Sequence, residues 1–204
     1  EKSKLRRGES EAQLRLAKVY LEQRNHDSAI YFSRLSFDNA KAATNKKKMA
    51  YSLHLLALSL DGDGRSDESI ETWKGAFGYY ADLPDSVQMG NCLEAMAGLY
   101  QLTGHIDSSM KSHIRAEMIF RKIGNKWGQL MCFNNIAGVY SFQNQHRRAL
   151  SNYMKVLELC KEMKRDDALI LTYDNLAICY IRLEKLDSAE LNVHRAFELL
   201  ESTG

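Results

Sequence analysis

Ile136-Ala137-Gly138-Val139-Tyr140 reads as a large apolar residue, a small one and, three positions on, an aromatic. Met96-Ala97-Gly98-Leu99-Tyr100 stands forty residues earlier, and Leu176-Ala177-Ile178-Cys179-Tyr180 forty later. Leu16-Ala17-Lys18-Val19-Tyr20 and Leu56-Ala57-Leu58-Ser59-Leu60 complete the set. The alanines therefore fall at 17, 57, 97, 137 and 177, without one insertion. Twelve residues after each comes a second small residue: Ala29, Ser69, Ser109, Ala149 and Ala189. Asp27, Asp67, Asp107 and Asp187 precede it by two, with Arg147 in the fourth copy. Self-similarity at a fixed period of this length is the mark of stacked supersecondary units.

Each slot has a physical reason. Large, small and aromatic residues at this spacing share one helical face. The small residue lets a second helix approach, and the aromatic fills the groove beside it. The second small residue does the same from the opposing helix. Asp at the turn is expected to accept hydrogen bonds from free amides opening the second helix and to favour its positive end. Gly64 and Gly104 occupy the turn slot held elsewhere by Arg24, Asn144 and Glu184. Each unit is thus two antiparallel helices. The spacing predicts helices over 10–23, 27–42, 47–61, 66–81, 86–103, 107–123, 127–142, 146–163, 167–183 and 187–201. The repeats run approximately 10–45, 46–85, 86–125, 126–165 and 166–204, within one domain spanning 1–204.

The composition agrees. A single proline, Pro84, leaves long stretches free to be helical. Apolar residues at 45% and charged ones at 26% are ordinary for a globular chain. A net charge of +2 argues against a broad basic face for nucleic acid or anionic membrane. The run Lys46-Lys47-Lys48 reads as a solvated helix start. No window has the apolar length of a membrane span, and Glu1 to Ser10 lacks the apolar core of a signal peptide. The chain opens without Met and stops at Ser202-Thr203-Gly204, so it reads as a fragment of something longer or a processed form.

The large–small–aromatic run followed by small residues in a second helix resembles the tetratricopeptide repeat, over roughly Glu9 to Glu201. Three departures stand out: a period of 40 where 34 is commoner, no repeat-closing proline except Pro84, and Leu60 in an aromatic slot. The longer period is similar to Pins-type scaffolds, kinesin light chains and bacterial sensory and regulatory proteins, and Asp-Ser at 27–28, 107–108 and 187–188 has the same bacterial style. The resemblance implies an all-α fold, a right-handed α-solenoid of five helical hairpins. Terminal hairpins of such stacks need a cap. The last helix offers Leu191, Phe197, Leu199 and Leu200, so a capping helix or a homodimer partner is expected over it.

Cys92, Cys132, Cys160 and Cys179 show no CxxC and no histidine at zinc-ligand spacing. Cys92 and Cys132 share a slot on successive first helices, whose axes pack about 8–10 Å apart, beyond the roughly 7 Å Cα limit for a disulfide. All four are expected to be free and mostly buried. Free thiols suit a cytoplasmic, reducing compartment; a sensor role would suit the periplasm. His26, His105 and His146 read as solvated turn residues, His113 and His194 as packing or surface residues. Gly62-Asp63-Gly64-Arg65-Ser66 lacks the endings of a phosphate or calcium loop and reads as a hairpin turn. Neither metal nor cofactor is expected, and no nucleophile, base and orienter converge, so the chain is not read as an enzyme.

The resemblance places the binding groove on the concave surface lined by first helices. Projected from the core face, its residues are Glu11, Leu14, Lys18 and Leu21, then Tyr51, His54 and Leu58. Asn91, Glu94, Gln101 and Leu102 follow in the third repeat. The fourth offers Met131, Asn134, Asn135, Ser141 and Phe142, and the fifth Leu171, Asp174, Asn175, Ile178, Ile181 and Arg182. Asn135 and Asn175 stand two residues before a core alanine, where similar repeats hold the backbone of an extended ligand; an amide can donate and accept at once. Lys18 and Arg182 lie far apart in sequence, which disfavours a clamp for a C-terminal carboxylate. The apolar and amide mixture points to an extended or amphipathic peptide as partner. Two other readings stay open: a sensory input module whose output lies outside these residues, and a structural spacer.

Overall fold

The computed structural model describes the backbone of residues 2–203 and the side chains of residues 8–202. Every element among them is an α-helix: α1 (Lys2–Glu22), α2 (His26–Ala42), α3 (Lys46–Gly62), α4 (Ser66–Asp82), α5 (Ser86–Leu102), α6 (Ile106–Lys122), α7 (Lys126–Phe142), α8 (His146–Met163), α9 (Asp166–Arg182) and α10 (Leu186–Thr203). The observed ends lie within two residues of expectation, except that α1 begins at Lys2, eight residues earlier than the periodicity of its apolar face indicated.

The helices start every 20 residues from His26 to Leu186, so the 40-residue repeat is built from two equal beats. The connectors enforce this beat. Each spans two or three residues, and residues 24, 44, 64, 104, 124, 144, 164 and 184 all take φ between +52° and +80°. That left-handed turn lets the next residue's N–H reach back to the helix's third-last carbonyl, satisfying an otherwise orphaned acceptor. Asn25 donates to Tyr20 at 2.9 Å, His105 to Tyr100 at 2.7 Å, Asn125 to Phe120 at 2.9 Å and Lys185 to Tyr180 at 2.9 Å.

The donating residue also starts the next helix. The side chains of Asn25, Asn45, Asp85 and Asn125 accept from the amides of Ser28, Lys48, Gln88 and Gly128 at 2.9–3.2 Å. This corrects the turn aspartates. Asp27, Asp67, Asp107 and Asp187 lie at the second helical position, where their charge meets the helix's positive end; the side-chain cap bond of α2 comes from Asn25, and Arg65 makes none before α4.

Packing divides the chain into two compact units, residues 1–112 and 113–204. In the first, Ala17, Ala29, Ala57 and Ala97 are fully buried, with Trp73, Leu60 and Leu93 around them. Ser69 Oγ donates to Ala57 O at 2.8 Å, so the second small slot ties one helix of the hairpin to the other. Ser36 Oγ donates to Ser10 O at 3.0 Å and lies 2.9 Å from Ser52 Oγ, a polar joint whose groups satisfy one another inside the core. Leu14, Ala17 and Leu55 form a cluster against Leu21 and Phe32. Leu14, expected on the groove surface, is therefore buried. Leu16 departs in the other direction. Its equivalents Leu56, Met96, Ile136 and Leu176 are buried, whereas Leu16 and its neighbour Val19 are exposed on α1.

In the second unit Leu130, Ala137, Ala149, Tyr153, Val156, Leu157, Cys160, Leu169, Tyr173, Leu176 and Cys179 make one core joining α7, α8 and α9. The aromatic slots are less buried than expected. Tyr140 and Tyr180 are half-buried, and in the first unit Tyr20 and Tyr100 are too, while Leu60 in the same slot is fully buried. The four cysteines are free and buried. Burial pushes the Cys92 thiol up to about 12, which makes it an inert apolar filler.

Candidate interaction surface

The ten residues singled out for binding divide between the two units. Asn91 and Glu94 lie on α5 of the first, Asn91 exposed and donating to Gln88 Oε1 at 3.3 Å, Glu94 half-buried. The other eight lie on α7 and α9 of the second. On α7, Met131, Asn135 and Phe142 follow one another at helical spacing, Phe142 being 72% exposed. Asn134 and Asn135 are half-buried. On α9, Asp174, Ile178 and Arg182 are exposed and Asn175 is half-buried, with Leu171 and Ile181 exposed beside them. Slot by slot, α7 and α9 thus present a half-buried amide flanked by exposed apolar side chains. An amide fixed at its base by packing loses little freedom on binding a peptide group.

A feature of the first unit escaped the sequence reading. Between α1 and α3 lies a recess of about 450 Å³, lined by Glu11, Leu14, Arg15, Lys18, Asn45, Lys47, Lys48 and Tyr51. Lys48 is not a solvated helix-start residue: its side chain is 21% exposed and pairs with Glu11 at 3.0 Å. That hydrogen bond and charge hold the Glu11 carboxyl below its usual range. Lys46 pairs with Asp82 at 2.6 Å. The signal was present in the 37-residue separation of Glu11 and Lys48, near one repeat, but a basic run alone does not announce its partner.

His26, His54 and His146 differ from expectation. His54 stands edge-on to Trp73, centroids 4.8 Å apart, with Tyr51 and Tyr80 alongside, and burial lowers its pKa. His26 and His146 are half-buried with Nδ1 shielded from solvent, not solvated; the His26 ring lies where a Cβ on Gly62 would stand. His105 is exposed, His113 is buried in packing, and His194 is exposed beside Glu190 at 3.7 Å. Among the described residues no group of three His, Cys, Asp or Glu side chains is placed to hold a metal ion. No described helix is long and apolar enough to cross a membrane.

Residues 129–202 match the family model described as tetratricopeptide repeat. Among curated proteins, response regulator aspartate phosphatase I of Bacillus subtilis is 24% identical over 136 residues, covering 66% of this chain and 35% of the relative. The chain thus corresponds to about a third of that relative's length. Among solved structures, a signal transduction ATPase with numerous domains and a tetratricopeptide repeat sensor, from Pyrococcus horikoshii, superposes with a TM-score of 0.86 at 14% identity, over 95% of this chain and 30% of that one. A Rap protein complexed with competence and sporulation factor superposes with a TM-score of 0.69 at 11% identity, over 95% of this chain and 64% of that one. At these identities the superpositions show the fold alone. The chain has the all-α solenoid fold of these structures, and residues 129–202 carry the tetratricopeptide repeat match.

Proposed function

We propose that this protein-interaction module holds a peptide or helical segment of another protein along the faces of α7 and α9 that carry Asn135 and Asn175. The observation that carries the reading is the repeated arrangement of a half-buried amide with exposed apolar neighbours: Met131 and Phe142 on α7, Ile178 and Ile181 on α9. Asn134, Asp174 and Arg182 supply the polar rim. Asn91 and Glu94 of α5 hold the equivalent slots of the third repeat within the first unit. Exposed apolar side chains beside fixed amides suit an extended guest, whose backbone the amides pair and whose side chains the apolar residues receive. The Rap structure complexed with competence and sporulation factor supports a fold able to carry such a ligand.

The test is a titration with a peptide selected from a random display library on the wild-type chain. Two lost amide–peptide hydrogen bonds, at about 0.5–1.5 kcal/mol each, predict roughly tenfold weaker binding by Asn135→Ala/Asn175→Ala with the helical melting transition retained. Unchanged affinity in the folded double variant rejects the site.

A second reading is favoured by the response-regulator phosphatase relative and by the repeat sensor of the signal transduction ATPase. There the module is the input part of a larger regulatory protein, and the guest on α7 and α9 is its signal.

A further inference from the structure

The recess between α1 and α3 has no part in the reading above. Its walls are consecutive first helices of one unit, and Leu14, which lines it, clusters with Leu55 of α3. A hairpin stacked before α1 would leave it open. Leu56, the equivalent of Leu16, clusters with Ile30 of the preceding hairpin, and Leu16 lies two residues from Leu14, on the other side of the helix. The lining joins two chemistries. Leu14 and the ring of Tyr51 are apolar, Tyr51 being 40% exposed. Around them four cations, Arg15, Lys18, Lys47 and Lys48, face one carboxylate, Glu11. That carboxylate is already held by Lys48 at 3.0 Å and Arg15 at 3.6 Å. Lys18 makes an exposed contact with Glu22 at 3.8 Å, which fixes little. Lys46 and Lys48 each have an acid, but among the described residues no carboxylate pairs with Lys47. Lys47 also stands at the second position of α3, where the helix's positive end adds to its field.

Neutral hydrogen-bonding groups are scarce here. The Asn45 side chain accepts from the Lys48 amide at 3.1 Å, which leaves its NH2 group and the Tyr51 hydroxyl. A peptide backbone or a sugar would find few partners for its polar groups. An aromatic body bearing one acid group leaves nothing unmatched. We propose that the recess binds a small aromatic carboxylate, its ring against Tyr51 and Leu14 and its carboxylate met by Lys47, with Lys18 on the opposite wall. At about 450 Å³ the recess has the size of a small-molecule site, roughly 300–1,000 Å³. Lys47 and Tyr51 also line a second recess of about 280 Å³ between α3 and α5, where Asp85 supplies a carboxylate of its own. The acid group of the ligand therefore belongs on the α1 side of Lys47, and only its apolar body extends toward Leu83. This site is independent of the peptide face on α7 and α9.

Calorimetric titration with 1-naphthoate and with its uncharged amide, 1-naphthamide, tests this. The proteins are the wild-type chain, Lys47→Gln, Tyr51→Ser and Lys161→Gln, the last removing an exposed cation from α8. Lys47 and Tyr51 are exposed, so their variants should keep their helicity, checked by circular dichroism. Lys47→Glu, whose acid suits the helix start, is a second charge variant. The expected result is saturable one-to-one binding of naphthoate, roughly tenfold weaker in Lys47→Gln and weaker again in Lys47→Glu. Naphthamide should bind the wild type roughly tenfold more weakly than naphthoate does, with no further loss in Lys47→Gln. Tyr51→Ser should weaken both compounds, and Lys161→Gln neither. Absence of saturable binding overturns the proposal. So does naphthoate affinity that ignores the charge at residue 47, equal affinity for acid and amide, or an equal loss in Lys161→Gln.

Discussion

His54 shows how far a single side chain departs from its slot's pattern. Of the equivalent positions, Glu94, Asn134 and Asp174 are acids and amides on first-helix surfaces and Leu14 is buried, while His54 is drawn against Trp73, Tyr51 and Tyr80. Burial disfavours the charged imidazolium, and Nδ1 is shielded without a hydrogen-bond partner. A base whose folded pKa is lowered takes up its proton more readily when unfolded. Its stabilising contribution is therefore complete above the ordinary imidazole pKa and lost as pH falls from there through the folded value. Urea unfolding should show the wild type losing more stability than His54→Phe between pH 7.5 and pH 5. Parallel losses would mean that the ring is solvated when charged. Nothing in the sequence marked His54 for this environment, because Trp73 reaches it from the opposing helix. Leu14 was misplaced for a related reason: a helical projection gives a residue's direction, not the width of its neighbour, and Leu55 with Phe32 closes over it.

At the scale of helices and connectors, the hairpins were legible because small residues recur at two slots and only small residues fit where helices cross closely. The 20-residue beat was harder to read. The left-handed slot is glycine only at 64, 104 and 124, and the cap slot alternates Asn45, Asp85 and Asn125 with residues that make no cap bond, such as Arg65 and Arg165. Backbone geometry, not residue identity, is what repeats. A side chain in the left-handed conformation costs about 1 kcal/mol relative to glycine. Lys164, with φ of +54°, carries that cost, and Gly124, at +69°, avoids it. Lys164→Gly is expected to raise unfolding free energy by up to about 1 kcal/mol and Gly124→Ala to lower it by a similar amount, read from urea midpoints. No change in either would show that the connectors relax out of the left-handed turn.

For the molecule as a whole, the sequence made the class of fold legible, but not the distribution of surface features. The apolar residues of α7 and α9 could be projected from the repeat, since their slots on those two helices face away from the core, although Leu21 in the slot of Ile181 packs against it. The α1–α3 recess could not, because it depends on Lys48 turning to Glu11 instead of to water. The proposed function places a guest on α7 and α9. Hydrogen–deuterium exchange of the chain with and without a library-selected peptide tests it most directly. A guest held there slows exchange at residues 131–142 and 171–182 alone. Slowed exchange over the α1–α3 recess, with α7 and α9 unchanged, would contradict it.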